Sequence, residues 1–204
     1  MEISPLTLNR LSVYLRCLRV LETDGVARVS SLELARRFHL SAAQIRKDLA
    51  QFGEFGIRGV GYEIDKLVDS LTRLLGLDRV HPLVIVGMGN LGSALATSVG
   101  FNSGSFRVVA GLDSDARKIG SRVGGVRVRD ARDMLAIVRE TDAEIGVLTV
   151  PAEAAQGNYD RLVGAGVRAI LNFAPIRLKL APGVRSKDVD LRIDLEELGY
   201  FLSR

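Results

Sequence analysis

Gly87, Gly89 and Gly92 stand at the spacing G-x-G-x-x-G, directly after the apolar run Leu83-Val84-Ile85-Val86. In a strand–turn–helix unit each glycine has its own task. Gly87 permits the tight turn, Gly89 lets the backbone approach a pyrophosphate, and Gly92 lets helix and strand pack closely. The helix start beyond Met88, Asn90 and Leu91 offers unpaired N–H groups and a partial positive charge to phosphates. A second apolar run, 106–112, ends at Asp113. A carboxylate there accepts hydrogen bonds from the 2′- and 3′-hydroxyls of a ribose and repels a 2′-phosphate. The pattern predicts a dinucleotide site that prefers NAD(H) to NADP(H), a preference softened by the nearby cations Arg117 and Lys118. The plainer alternative is a glycine-rich turn in an α/β domain with no dinucleotide.

The elements that must position these residues follow in the chain. Gly124-Gly125-Val126-Arg127-Val128 reads as a minor strand, and a helix is expected at about 130–139. Core strands at 144–150 and 169–175 flank a helix near 152–164. Strands alternating with helices imply a parallel sheet covered on both faces. Ligands of such sheets bind beyond the carboxyl ends of the strands. Thr149, Val150 and Pro151, with Asn172, Phe173, Ala174 and Pro175, are therefore expected to border the nicotinamide half; each stretch can equally be a strand end stopped by proline. Phe101 and Phe173 are candidates for an apolar pocket that penalises the charged, oxidised ring. Asp190-Leu191-Arg192-Ile193-Asp194 reads as a last strand, and 195–202 as an amphipathic turn or two whose apolar face needs a groove. A second copy of the chain could supply one.

The first eighty residues have a different character. Ser4-Pro5 caps an amphipathic helix carrying Leu8, Leu11, Leu15 and Leu18 and ending near Asp24-Gly25. Ser30-x-x-Glu33 and Ser41-x-x-Gln44 both read as capping boxes, opening helices at about 31–38 and 42–52. The short join at His39-Leu40 makes them a helix-turn-helix. The second helix would expose Ser41, Gln44, Arg46, Lys47 and Gln51 to a double-stranded DNA. From 36 to 58 five basic residues (Arg36, Arg37, Arg46, Lys47, Arg58) face two acidic ones (Asp48, Glu54), so positive charge collects where a duplex would lie. The glycine-rich stretch 53–62 reads as a wing whose Arg58, with Gly59, would enter a narrow minor groove. A three-helix packing module with a solvated basic face is the alternative. A further helix at about 65–75 leads to a boundary at His81-Pro82. Two domains result: a winged helix-turn-helix domain at 1–80 and an α/β Rossmann domain at 81–204.

Composition bounds the rest. Among 204 residues, 47% are hydrophobic, but no run approaches the ~20 apolar residues of a membrane span. No secretory leader is visible, so the chain is expected in the cytoplasm, away from membranes. One cysteine, Cys17, and two histidines, His39 and His81, argue against a disulfide or a metal site. Cys17 reads as a packed thiol, and the histidines as surface or junction residues. A net charge of +4 is compatible with nucleic acid without demanding it.

Several segments together resemble one family. R-K-D-L-A-Q-F-G (46–53), G-I-R-G-V-G-Y (56–62), V-G-M-G-N-L-G-S-A-L (86–95), L-D-S-D-x-x-K-I-G (112–120), L-T-V-P (148–151) and L-N-F-A-P (171–175) are similar, in this order, to the Rex family of redox-sensing transcriptional repressors. The resemblance spans almost the whole chain. It implies a homodimer that binds a palindromic operator through winged helices and senses the NADH/NAD⁺ ratio, NADH releasing the DNA. It implies a C-terminal helix exchanged between subunits. Members commonly carry a tyrosine just before the Gly-Phe that follows the first Rossmann helix. Here Thr97-Ser98-Val99 precedes Gly100-Phe101, so sensing must use other groups or be weaker.

Other classes fit less well. An NAD-dependent dehydrogenase needs a substrate domain and a proton-transfer group, yet few residues follow Pro175 and no histidine follows His81. The chain is therefore expected not to be an enzyme. A CoA- or other nucleotide-binding module shares the glycine turn, but Asp113 favours a free ribose diol. A structural chromatin protein would leave the nucleotide fingerprint unused. Arg16 and Asp190 are candidates for an inter-domain ion pair present in one state only; two ordinary surface charges is the simpler reading.

Overall fold

The computed structural model describes residues 3–53, 55–57 and 60–203. It divides into two compact units, Met1–Arg79 and Val80–Arg204.

The first unit opens with α1 (Pro5–Thr23), capped by the Ser4 hydroxyl, which accepts from the Thr7 N–H at 3.1 Å. Leu11, Leu15, Leu18 and Leu21 form its buried stripe. A short β1 (Arg28–Val29), not foreseen in the sequence, precedes α2 (Ser31–Phe38). The capping box of α2 is complete: Glu33 N–H donates to Ser30 Oγ at 3.1 Å, and Ser30 N–H donates to Glu33 Oε2 at 2.8 Å. His39 ends α2 in the left-handed region, at φ 54°. α3 (Ala42–Leu49) is shorter than expected, and only half of its capping box forms. Ser41 Oγ accepts from Gln44 N–H at 3.3 Å, but the Gln44 side chain turns along the helix to Asp48 instead of back to the cap. β2 (Gly56–Ile57) and β3 (Gly61–Glu63) form the wing hairpin, with β1 pairing on the other side of β3. α4 (Ile64–Leu74) closes the unit. Leu11, Leu18, Leu34, Ile45, Leu67 and Leu71 are fully buried together. Truncating one such leucine to alanine costs about 2–5 kcal/mol.

The second unit is a seven-stranded sheet. Its strands are β4 (His81–Val86), β5 (Phe106–Asp113), β6 (Arg122–Val123), β7 (Val126–Asp130), β8 (Ile145–Leu148), β9 (Ala169–Asn172) and β10 (Arg185–Asp188). Their order is β10-β9-β8-β4-β5-β7-β6, parallel throughout except for the edge pair β6–β7. Strand β4 is apolar without alternation because both its faces are covered. Val84 and Val86 pack under α6 (Met134–Thr141) and α7 (Ala152–Gly164), beside Met134, Ile137, Tyr159 and Leu162. Leu83 and Ile85 face the other way, toward α5 (Asn90–Thr97) and its Ala96. The chain runs outward from β4 through β5 to β7, then returns to β8 on the other side. That reversal opens a crevice beyond the carboxyl ends of β4 and β8, the usual ligand position in such sheets.

Four expected strands differ. Gly124 and Gly125 are not strand but the turn of the β6–β7 hairpin, at φ 58° and 81°, values an L side chain rarely adopts. The strands expected to run to 150 and 175 stop at Leu148 and Asn172, leaving Thr149–Pro151 and Phe173–Pro175 as loops at the crevice. The strand expected at 190–194 is the start of a helix, α8 (Leu191–Leu202), and the last strand is β10. The alternation Leu191, Arg192, Ile193 fits a strand only locally. Leu191, Leu195, Leu198 and Leu202 recur at helical spacing, and Asp190 Oδ1 accepts from Arg192 N–H at 3.0 Å as a helix cap. The large apolar side chains of α8 are 53–88% exposed.

Candidate functional site

The crevice of the second unit is a cleft of about 660 Å³. Gly87 leaves β4 at φ 96°; a Cβ there would lie 2.6 Å from the Thr149 carbonyl oxygen. A Cβ on Gly92, in the first turn of α5, would lie 2.0 Å from the Gly87 carbonyl oxygen and 2.9 Å from Thr149 Oγ1. These two positions admit glycine only. The Thr149 hydroxyl lies 2.7 Å from the Gly87 carbonyl oxygen and 3.1 Å from that of Val86, so it fastens the β8 loop to the glycine turn. At Gly89 a Cβ would meet no protein atom, which leaves its backbone accessible from the cleft.

Asp113 ends β5 with its side chain 9% exposed. Its Oδ2 accepts from Met88 N–H at 2.8 Å and from Lys118 Nζ at 2.9 Å; its Oδ1 accepts from Asp115 N–H at 2.8 Å. Burial works against the charged form, but these hydrogen bonds and the Lys118 charge outweigh it and hold the carboxyl below its usual range. A carboxylate has about four acceptor directions, so a ribose hydroxyl finds one unused, and a second only by displacing Lys118. Arg117 is turned away, held by Asp115 at 2.7 Å, and keeps that carboxyl down at about 2.

The cleft brings together Gly87, Gly89, Leu91, Asp113, Lys118, Thr149, Val150, Pro151 and Phe173. Met88 contributes its N–H, while its side chain is buried over Gly111. Asn90 and Gly92 belong to the helix start behind the wall. Asn172 is wholly buried: its Oδ1 accepts from Ala174 N–H at 3.0 Å, and its Nδ2 donates to the Ile176 carbonyl and to Asp188 Oδ1, each at 2.9 Å. It shapes the loop that carries Phe173. Ala174 is buried and Pro175 exposed in that loop, neither on the cleft wall. Phe101 and Phe173 both pack against the core cluster on the α5 side of the sheet, but only Phe173 lines the cleft. Ser98 ends α5. Sequence reading missed Ser114, Ala131, Ala154, Asn158 and Arg161, which also line the cleft. The spacing 154, 158, 161 on one helix after Pro151 was the available signal.

In the first unit, Ser41, Arg46, Lys47 and Gln51 are exposed along α3, and Arg46 Nη1 donates to Ser31 Oγ at 2.9 Å. Gln44 is half-buried, its Nε2 donating to Asp48 Oδ1 at 2.8 Å. Asp48 itself is completely buried. It accepts from Arg10 Nε at 2.6 Å, Arg10 Nη2 at 2.8 Å and Tyr14 Oη at 2.9 Å. The Arg10 hydrogen bonds, aided by Gln44 and Tyr14 and opposed by burial, hold the carboxyl below its ordinary range. Burial, then the Asp48 hydrogen bond, pushes the Tyr14 hydroxyl up to about 12. Asp48 therefore does not offset the basic surface, because Arg10 already neutralises it. Arg58 and Gly59 lie outside the described residues. Arg16 is exposed on α1, and Asp190 caps α8. Among the described residues no cluster of His, Cys, Asp or Glu is placed to hold a metal, and no helix is long and apolar enough to cross a membrane.

A winged helix-turn-helix followed on one chain by a Rossmann sheet with a glycine turn defines a DNA-binding regulator that carries its own nucleotide fold. Residues 2–50 match the family of putative DNA-binding protein N-termini, and 78–176 match the CoA binding domain family. Over 99% of its length the chain is 46% identical to the redox-sensing transcriptional repressor Rex of Syntrophomonas wolfei subsp. wolfei, covering 96% of that protein. It is 44% identical over its full length to Rex of Carboxydothermus hydrogenoformans, covering 98%. Among solved structures it resembles RSP in complex with β-NAD⁺ and operator DNA, with 37% identity, a TM-score of 0.94 and coverage of 99% of this chain and 93% of that one. RSP in complex with β-NADH matches with 35% identity and a TM-score of 0.90 over 99% and 95% of the two chains. The chain belongs to the Rex family of redox-sensing transcriptional repressors, which are not enzymes.

Proposed function

We propose that this chain binds a palindromic, double-stranded operator as a cytoplasmic homodimer and leaves it when NADH enters the Rossmann cleft. One observation carries the reading: Asp113 and the Gly87 turn, joined through Met88 N–H, line one cleft on the same chain as a winged helix. The relative RSP has been crystallised with β-NAD⁺ and operator DNA, and with β-NADH. In this reading the pyrophosphate lies over Gly89 and the start of α5, Asp113 holds the adenosine ribose, and the nicotinamide reaches Thr149, Val150, Pro151 and Phe173. The reduced ring is neutral and enters apolar surroundings at less cost than the charged, oxidised ring. On the duplex, Arg46, Lys47, Gln51 and Ser41 meet the major groove and backbone, with Arg58 and Gly59 at the wing tip. A second copy of the chain covers the apolar face of α8 in an exchanged arrangement. No metal or membrane takes part.

Arg16 and Asp190 are the candidate pair that exists in only one redox state. Arg16→Ala and Asp190→Asn, which keeps a capping side chain, test it: an unchanged NADH response in both removes the pair.

The deciding experiment measures affinity for an operator selected from random duplexes, at fixed salt, with NADH, NAD⁺, NADPH, CoA or no ligand. NADH should weaken binding about 5- to 150-fold, a coupling of about 1–3 kcal/mol. Fixed salt matters because phosphate contacts make affinity fall steeply with ionic strength. Equal affinity with and without saturating NADH refutes the reading. A response to CoA alone favours the CoA-binding alternative.

A further inference from the structure

Two polar side chains of α7 also line the cleft. Asn158 and Arg161 lie about a turn apart on α7 and line the same cleft as Asp113 and Ala131, and Arg161 is hydrogen-bonded to the Ala131 carbonyl. In the sheet, β4 is followed by β5 and then β7, so the ends of these strands give an order: the glycine turn, Asp113, Ala131. With pyrophosphate at the first and ribose at the second, the base attached to that ribose falls at the third. This assignment rests on the dinucleotide reading of the cleft.

The partners of each side chain fix what it can offer. Asn158 Nδ2 donates to the Ala154 carbonyl at 2.9 Å. A carbonyl can only accept, so the amide cannot be turned over, and Oδ1 is the group left for a ligand. Arg161 Nη2 donates to the carbonyl oxygens of Ala131 and Arg132, the latter at 3.3 Å. These bonds hold the planar guanidinium at the cleft edge without cancelling its charge, and the neighbouring Asp130 is bound by Arg132 at 2.6 Å.

We propose that Asn158 and Arg161 form an adenine-reading corner. Asn158 Oδ1 accepts a hydrogen bond from the 6-amino group, and the Arg161 guanidinium lies against the face of the purine. Hypoxanthine carries an oxygen at position 6, which would set two acceptors against each other. The corner therefore selects the adenine dinucleotide over its hypoxanthine counterpart.

Titration of the full-length protein with NADH and with reduced nicotinamide hypoxanthine dinucleotide, followed by nucleotide fluorescence at fixed salt, tests this. The wild type should bind NADH about 10-fold more tightly than the analogue, the value of one hydrogen bond traded for an unpaired acceptor. Asn158→Ala should weaken NADH by about that factor and leave the analogue unchanged, bringing the ratio near one. Arg161→Ala should weaken both ligands by a common factor of about 3 to 10 and keep the ratio. Asn158 is half-exposed, so its truncation leaves the core untouched. A wild-type ratio of one, an Asn158→Ala variant that weakens both ligands equally, or an Arg161→Ala variant that weakens neither overturns the proposal. Failure of the wild type to bind NADH at all is a distinct result, and it refutes the dinucleotide reading instead.

Discussion

Replacing Asp48 with alanine removes the acceptor of four hydrogen bonds from a fully buried position. The Tyr14 hydroxyl, on a residue only 3% exposed, is left with no acceptor. The Arg10 side chain is 34% exposed and can turn to water, so the loss falls short of the ~3–5 kcal/mol seen when a fully buried pair is broken. A cost of about 2–4 kcal/mol follows. For a unit of 79 residues each kcal/mol corresponds to about 4–8 °C, so the melting temperature of the winged-helix unit should drop by about 8–32 °C. Adding Tyr14→Phe to that variant removes the orphaned hydroxyl and should restore about 1 kcal/mol. The same network sets an acid limit. The unfolded carboxyl takes up its proton near the ordinary value of 3.8, the folded one only at lower pH. Stability supplied by Asp48 is therefore present above about pH 4 and is lost as pH falls through the folded value. Circular dichroism melts between pH 3 and 7 measure both effects. A drop below about 3 °C at pH 7, with an unaltered acid profile, would show that Asp48 does not anchor α3 as argued.

Other outcomes follow from the same geometry. Gly92→Ala drives a Cβ into the Gly87 carbonyl and should reduce NADH binding at least tenfold while operator binding without ligand stays within twofold; equal loss of both points to general misfolding. Lys118→Ala removes the charge that partly neutralises Asp113, so the preference for NADH over NADPH should rise severalfold by titration, and a fall contradicts the pairing. At alkaline pH the neutral Tyr14 is favoured by folding, so its contribution is whole below pH 10 and lost as pH rises toward about 12; Tyr14→Phe should flatten that slope in denaturant titrations. Deleting residues 191–204 should convert a dimer to a monomer in sedimentation, and an unchanged dimer removes α8 from the interface.

Much of this architecture was legible because its signals are local. Ser4-Pro5, Ser30-x-x-Glu33 and the glycine turn at 87–92 each specify backbone geometry through neighbouring residues, and the elements they predict form. The failures have non-local causes. Gln44 fits a capping box by spacing, but a buried carboxylate four residues on is the stronger acceptor. Asp48 reads as surface charge because its partner, Arg10, is thirty-eight residues away. Asn172 sits in a motif at the cleft, yet its hydrogen bonds go to Ala174, Ile176 and Asp188. Leu191–Ile193 alternates over too few residues to tell a strand from a helix, and the cap at Asp190 decides. Asn158 and Arg161 escaped notice because only the crossover between β8 and β9 brings α7 to the cleft.

The apolar residues of α8 are not confined to one stripe. Leu191, Leu195, Leu198 and Leu202 share one side, whereas Ile193 and Tyr200 project from the opposite one, and all six stand in water in a lone chain. A flat neighbour could shelter the four leucines or the other two, but not all six. In the exchanged arrangement proposed for α8, enclosure from both sides would tie folding of this segment to the concentration of protomers. Once formed, such a pair should exchange partners slowly, so each repressor would keep the same mate through many rises and falls of the coenzyme ratio.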